Sequence, residues 1–80
     1  MVQVRVYLYA TLRAFNAAAG GDTGAEMEVP DGTSIADLYG LLGIPEGHVK
    51  QAFVNGRRQD PDYVLRDGDR VGVFPPIGGG

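Results

Sequence analysis

Residues 2–9 alternate between apolar and polar positions. Val2, Val4, Val6 and Leu8 lie on one side, with Gln3, Arg5, Tyr7 and Tyr9 on the other. A period of two carried by β-branched and aromatic residues predicts a strand with one buried face. The pattern changes at 10–19, where alanine is frequent and Leu12 and Phe15 stand three apart, the spacing of a short helical turn. Gly20-Gly21-Asp22-Thr23-Gly24 reads as a loop. Alternation resumes at 25–30, with Met27 and Val29 expected inward, Glu26 and Glu28 in water, and Pro30 ending the ladder. This second strand is expected to run antiparallel to the first.

A helix is predicted at about 34–42. Thr33 or Ser34 supplies the N-cap oxygen, and Asp37 suits the positive end of the helix dipole. Ile35, Leu38, Leu41 and Leu42 form the expected apolar stripe. Gly43 and Pro45 stop the helix, and 46–48 is a linker. A third strand follows at 49–54, then Asn55-Gly56, a pair suited to a type I′ hairpin turn. Arg57-Arg58-Gln59 can return as a short edge strand. Asp60-Pro61-Asp62 turns the chain, Tyr63, Val64 and Leu65 form an apolar anchor, and Arg66-Asp67-Gly68-Asp69 turns it again. Residues 70–74 make the last strand, with Val71 and Val73 inward and Phe74 on the opposite face, and Pro75-Pro76 ends it by removing two backbone donors.

The resulting order is β–β–α–β–β. A single helix laid across one apolar sheet face is the simplest way for so few residues to close a core. If the first and last strands are central neighbours, they are parallel and linked through the helix. The expected fold is therefore α+β, a β-grasp: a mixed sheet of four to five strands with one main helix on one face. The chain divides into a domain at 1–74 and a tail at 75–80.

Composition narrows the chemistry. Eighty residues make one domain, and the absence of cysteine removes thiol nucleophiles and cysteine-based metal sites. With a single histidine, His48, no multi-histidine metal site is expected. Seven basic against ten acidic residues give a net charge of −3, which argues against nucleic acid and for a basic protein surface as partner. No apolar run is long enough to span a membrane and the N-terminus is unlike a signal peptide, so a cytoplasmic protein is expected.

Several segments taken together resemble the ubiquitin-like sulfur carriers, the MoaD/ThiS family of molybdopterin-synthase small subunits and thiamine sulfur carriers. They are the first strand running into Leu12-Arg13, the stretch Pro30–Leu38, Phe53-Val54-Asn55-Gly56, and Leu65 through Gly80 (LRDGDRVGVFPPIGGG). The double proline before the tail is more similar to the molybdopterin-synthase subunit. Gly78 stands where a small residue is usual, and Gly79-Gly80 match the family's terminal pair.

The resemblance implies a chemistry seated on the carboxylate of Gly80. An E1-like adenylating enzyme (MoeB/ThiF type) would spend ATP to form an acyl-adenylate there. Sulfur would then displace AMP and leave a thiocarboxylate, with no cofactor bound by the carrier itself. A molybdopterin-synthase large subunit (MoaE type) would receive that sulfur, so the chain would be a carrier rather than an enzyme. A carrier for thiamine, cysteine or tRNA thiolation, a protein modifier joined through Gly80, and an inert binding module are the other readings.

Physical reasons support a working tail. Gly78 and Gly79 carry no Cβ and can thread a narrow channel. Six residues from Pro75 reach about 20 Å when extended. Phe74, Pro75, Pro76 and Ile77 are the candidate apolar patch for a partner. Elsewhere the bland readings are favoured: 20–24 as a surface loop with no phosphate-binding Lys, His48 as solvated, Arg57 and Arg58 as a charged edge, and the acids at 60, 62, 67 and 69 as turn formers. Tyr7 and Tyr9 are divided between cover for the core edge and partner surface.

Overall fold

The computed structural model describes residues 1–76, the side chain of Glu46 excepted. Five strands form one sheet: β1 (Val2–Leu8), β2 (Ala25–Val29), β3 (Gln51–Val54), β4 (Arg57–Gln59) and β5 (Arg70–Phe74). Their spatial order is β2-β1-β5-β3-β4. β1 and β5 pair in parallel, and the other pairs are antiparallel. The first and last strands are therefore parallel neighbours, the condition under which the pattern makes a β-grasp.

One helix, α1 (Ile35–Leu42), packs on the apolar face. Ser34 caps it in a reciprocal box: its Oγ accepts from Asp37 N–H at 3.1 Å, and the Asp37 carboxylate accepts from Ser34 N–H at 3.1 Å. Thr33 instead donates its hydroxyl to the Pro30 carbonyl at 2.7 Å. The core joins Val4, Val6 and Leu8 to Val71 and Val73, with Ile35 and Leu38 above them.

The stripe differs from expectation at one position. Leu41 is 57% exposed, and Tyr39 is buried in its place. At about 100° per residue, Leu41 falls roughly 110° from the centre of the buried stripe, whereas Tyr39 falls within about 50° of it. On β2, Ala25 and Val29 are buried and Met27 only partly so, because β2 is an edge strand that α1 covers incompletely.

The connections also contribute to the core. Ala10–Phe15 is a 3₁₀ turn that buries Leu12 and leaves Phe15 at the surface. The glycine-rich loop is at the surface over 21–23, as expected, and the residue before it anchors it: Ala19 is buried and its carbonyl accepts from Leu8 N–H at 2.9 Å. Gly24 passes so close to β1 that a Cβ there would lie 2.8 Å from the Val6 carbonyl oxygen. Residues 46–48, expected as a linker, form a short 3₁₀ turn. Asn55 and Gly56 both hold positive φ, at 53° and 83°, which is the type I′ signature.

At the end of the sheet opposite the tail, Asp69 ties the β3–β4 turn to the β4–β5 connection. It is 5% exposed and accepts from Asn55 Nδ2 at 2.9 Å, Tyr63 Oη at 3.2 Å and Arg66 N–H at 2.9 Å. Asp67 accepts from Gln3 N–H at 2.8 Å. These two acids are turn formers, as expected, but Asp69 also closes the base of the domain. The hydroxyl of Tyr63 is pushed above its ordinary pKa, first by burial and then by the Asp69 carboxylate.

Candidate functional site

The site is built where β5 leaves the sheet. Because β5 is interior, its last residues are held from both sides. Val73 O accepts from Tyr9 N–H at 3.2 Å, and Phe74 O accepts from Lys50 N–H at 2.8 Å. Pro75 and Pro76 follow with no N–H to continue the ladder. Pro75 is half-buried and Pro76 exposed, so the tail starts from a fixed base. Ile77, Gly78, Gly79 and Gly80, which carry the expected carrier chemistry, lie outside the described residues.

Phe74 sits on the open face of the sheet, away from α1, as its position in the alternation required. Its ring stacks on Tyr9 with centroids 4.4 Å apart and planes at 8°. It also meets Phe53 edge-on at 5.6 Å and 81°. The strand register places Tyr7 and Phe53 beside Gly72. Gly72 has no side chain to cover the strand there, and the surrounding rings enclose a shallow hollow of about 410 Å³. Arg70 and Gly56 complete its wall.

The structure therefore brings together Phe74, Pro75 and Pro76 from the expected patch. It adds Tyr7, Tyr9, Phe53, Gly72 and Arg70, which the sequence reading did not assemble. Alternation had put Tyr7, Tyr9 and Phe74 on the open face. What joins Phe53 to them is the pairing of β3 with β5, a long-range fact. His48 stays at the surface, edge-on to Phe15 at 5.9 Å. Arg57 and Arg58 lie exposed on the edge strand β4. Among the described residues no cluster of potential metal ligands occurs, and no helix is long and apolar enough to cross a membrane.

A larger hollow of about 570 Å³ lies between α1 and the β3–β4 hairpin, with Tyr39, Ile44, Val49 and Lys50 among its lining residues. Burial raises the Tyr39 phenol above its ordinary pKa. One residue lining this hollow, Lys50, also donates its N–H to Phe74 O at the base of the tail.

Five strands in this order, with a parallel central pair and one helix on one face, define a ubiquitin-like β-grasp protein. The sequence matches the family model of the Mut7-C ubiquitin domain over residues 1–78, and the chain belongs to that family. Among solved structures it is similar to the putative molybdopterin converting factor, subunit 1, of Pyrococcus furiosus. The two are 33% identical, with a TM-score of 0.70, over 96% of this chain and 100% of that one. It is also similar to the HVO 2177 protein of Haloferax volcanii, at 28% identity and a TM-score of 0.73, over 99% of this chain and 87% of that one. Small archaeal modifier protein 1 of H. volcanii shares the fold, at 17% identity and a TM-score of 0.69, over 96% of this chain and 100% of that one. A comparison with curated protein sequences returns no match.

Proposed function

We propose that this chain is a sulfur carrier of the molybdopterin-synthase small-subunit type, with the carboxylate of Gly80 as its working group. The observation that carries the reading is the similarity over the whole P. furiosus subunit, joined to a strand that ends in Phe-Pro-Pro and a glycine tail. The chemistry starts from a poor electrophile. An activating enzyme lets the Gly80 carboxylate attack the α-phosphorus of ATP, and pyrophosphate leaves. A sulfur nucleophile then attacks the acyl carbon, and AMP leaves. The sulfur occupies a main-chain oxygen position, which is how a chain without cysteine carries it.

In this reading the domain itself performs no bond-making. Its interior strand fixes the base of the tail, and Gly78 and Gly79 let the carboxyl group enter a channel too narrow for side chains. The same tail serves the activating enzyme and, afterwards, a large subunit that consumes the sulfur. A partner contact on Phe74, Pro75, Pro76 and Ile77 supplies the affinity that holds the tail in that channel.

Intact mass spectrometry of the protein from its native cell tests the reading. The expected result is a C-terminal peptide in which one oxygen is exchanged for sulfur. Deleting Gly80, or extending the chain beyond it, is expected to abolish the exchange. Persistence of the exchange in either variant refutes the assignment to Gly80, and attachment of the chain to target lysines with no thiocarboxylate form supports a protein modifier instead. The large subunit that co-purifies identifies the pathway.

A further inference from the structure

We propose that the hollow between α1 and the β3–β4 hairpin is a binding site for a small organic acid, a carboxylate carried on an apolar body. The inference is independent of the tail and holds whether or not Gly80 carries sulfur. Three observations carry it: a nearly buried tyrosine whose hydroxyl has no partner, a helix glycine that the domain itself does not need, and a local excess of positive charge on a negative molecule.

The hollow holds about 570 Å³, within the range of about 300–1,000 Å³ usual for small-molecule sites. α1 and the hairpin form two of its sides. The connection from Ile44 to Lys50 closes a third, and Asp60-Pro61 a fourth, where Pro61 O accepts from Ala36 N–H at 2.9 Å. A basin bounded in this way suits a compact molecule better than an extended segment. Tyr39 is only 8% exposed and lines the basin, yet its hydroxyl makes no hydrogen bond among the described residues. No fully buried side-chain nitrogen or oxygen among those residues lacks a partner. The Tyr39 hydroxyl is therefore open, and the basin is what it opens into. It is placed to donate to an acceptor that the domain does not supply.

Gly40 lies inside α1, where a glycine weakens the helix. Its φ is not positive, and a Cβ there would meet nothing within 4 Å, so neither backbone nor packing calls for glycine. Gly40 lines the basin, and its missing side chain leaves room for an occupant against the helix backbone.

Charge selects the occupant. The lining carries Lys50 and Arg58 against Asp60, a net of +1 on a chain of −3. Lys50 forms no ion pair among the described residues. The strand register puts Arg58 beside Phe53 on the opposite face of the sheet, so Arg58 adds its field without contact. Tyr39 and Lys50 belong to the later half of α1 and the connection that follows it, together with Ile44 and Val49. Asp60 stands apart, by the first turn of α1. A carboxylate placed between the Tyr39 hydroxyl and the Lys50 ammonium meets two donors, and its apolar body lies against Ile44, Val49 and the bare backbone of Gly40. Asp60 repels the carboxylate from the other side and so fixes which way round the acid sits.

The test is a titration of ¹⁵N-labelled full-length protein with 4-phenylbutyrate, 4-phenylbutanol and 4-phenylbutylamine, which share one apolar body and differ in charge. The acid is expected to shift the amides of Gly40, Val49, Lys50 and Gln59, and to bind about tenfold more tightly than the alcohol. The amine is expected to bind more weakly than either. Tyr39→Phe keeps the ring and is expected to weaken the acid about tenfold. Lys50→Gln is expected to weaken it about threefold, as an exposed charge does, and Lys50→Arg to retain most of the binding. Gly40→Leu is expected to abolish the shifts by filling the basin while raising the urea midpoint, because leucine is the better helix former. A folded amide spectrum is checked first for each variant. Absence of shifts around the basin, equal binding of acid and amine, or unchanged binding in Gly40→Leu overturns the inference. Tighter binding of a tetrapeptide with a C-terminal phenylalanine overturns the assignment to a free small acid. Sulfur exchange at Gly80 is read separately by mass, so failure of the carrier reading leaves this result unchanged.

Discussion

Asp69 offers the sharpest check on how the domain is held together. Its carboxylate accepts three hydrogen bonds, from Asn55, Tyr63 and Arg66, at a site only 5% exposed. Bonds to a charged acceptor are worth about 1.5–3 kcal/mol each, and donors that regain water recover part of that. Arg66 is exposed and Asn55 lies in an exposed turn, whereas Tyr63 is half-buried. Asp69→Ala should therefore cost about 3 kcal/mol, a large share of the roughly 5–15 kcal/mol of a small domain. Asp69→Asn keeps the shape but places an amide NH₂ against one donor. Asn55 cannot simply flip to accommodate it, because its Oδ1 already accepts from Arg70 N–H at 3.0 Å. About 1–2 kcal/mol is expected for that variant. Urea unfolding followed by circular dichroism measures both, and the melting temperature should fall by about 4–8 °C per kcal/mol. If Asp69→Ala unfolds within about 0.5 kcal/mol of wild type, the three bonds do not hold the base of the domain and the reasoning fails.

Ala10 is a non-glycine residue at φ 52°, so Ala10→Gly should stabilise the domain by about 0.5–1 kcal/mol, the relief of left-handed strain less the added freedom of the unfolded chain; destabilisation in urea contradicts this. Gly24→Ala should cost about 2 kcal/mol or more, since its Cβ would meet the Val6 carbonyl at a φ of +70°, and a stability equal to wild type refutes the close approach. Burial raises the Tyr39 phenol, so the folded state keeps a proton that the unfolded chain releases near pH 10. That stabilisation is complete below about pH 10 and is lost as pH rises through the folded value, so Tyr39→Phe should unfold with a shallower alkaline limb, measured by urea midpoints across that range.

Much of this architecture was legible because its signals are local. The alternation of β1 and β5 fixed which side chains face α1, and Asn55-Gly56 fixed the hairpin. The exposure of Leu41 was equally open to angular arithmetic, since an i, i+6 spacing strays from a helical stripe that Tyr39 completes. The glycine loop was less legible. Its composition suggests open surface, which 21–23 keep, whereas the burial of Ala19 just before it and the approach of Gly24 to Val6 depend on where β1 lies in space. Asp69 likewise looks like any turn aspartate until Tyr63 and Asn55 arrive from elsewhere in the chain. The site divides in the same way: Phe74 and the prolines follow from strand patterning, but the aromatic hollow exists only because β3 pairs with β5 and places Phe53 next to Gly72.

The position of β5 links scaffold to tail. A tail leaving an edge strand could peel its last residues away from one neighbour, and its starting direction would drift. Here the final pair of strand residues is bonded on both sides, by Tyr9 N–H to Val73 O and by Lys50 N–H to Phe74 O. Detaching the base would break both bonds and the Tyr9–Phe74 stack together. The same arrangement puts the open face directly behind the tail, since Phe74 belongs to the hollow and immediately precedes Pro75. Any chain that engages the tail therefore meets it with its origin at Pro75 already fixed. The strand base then needs no further ordering at contact, which lowers the cost that a binding surface has to offset.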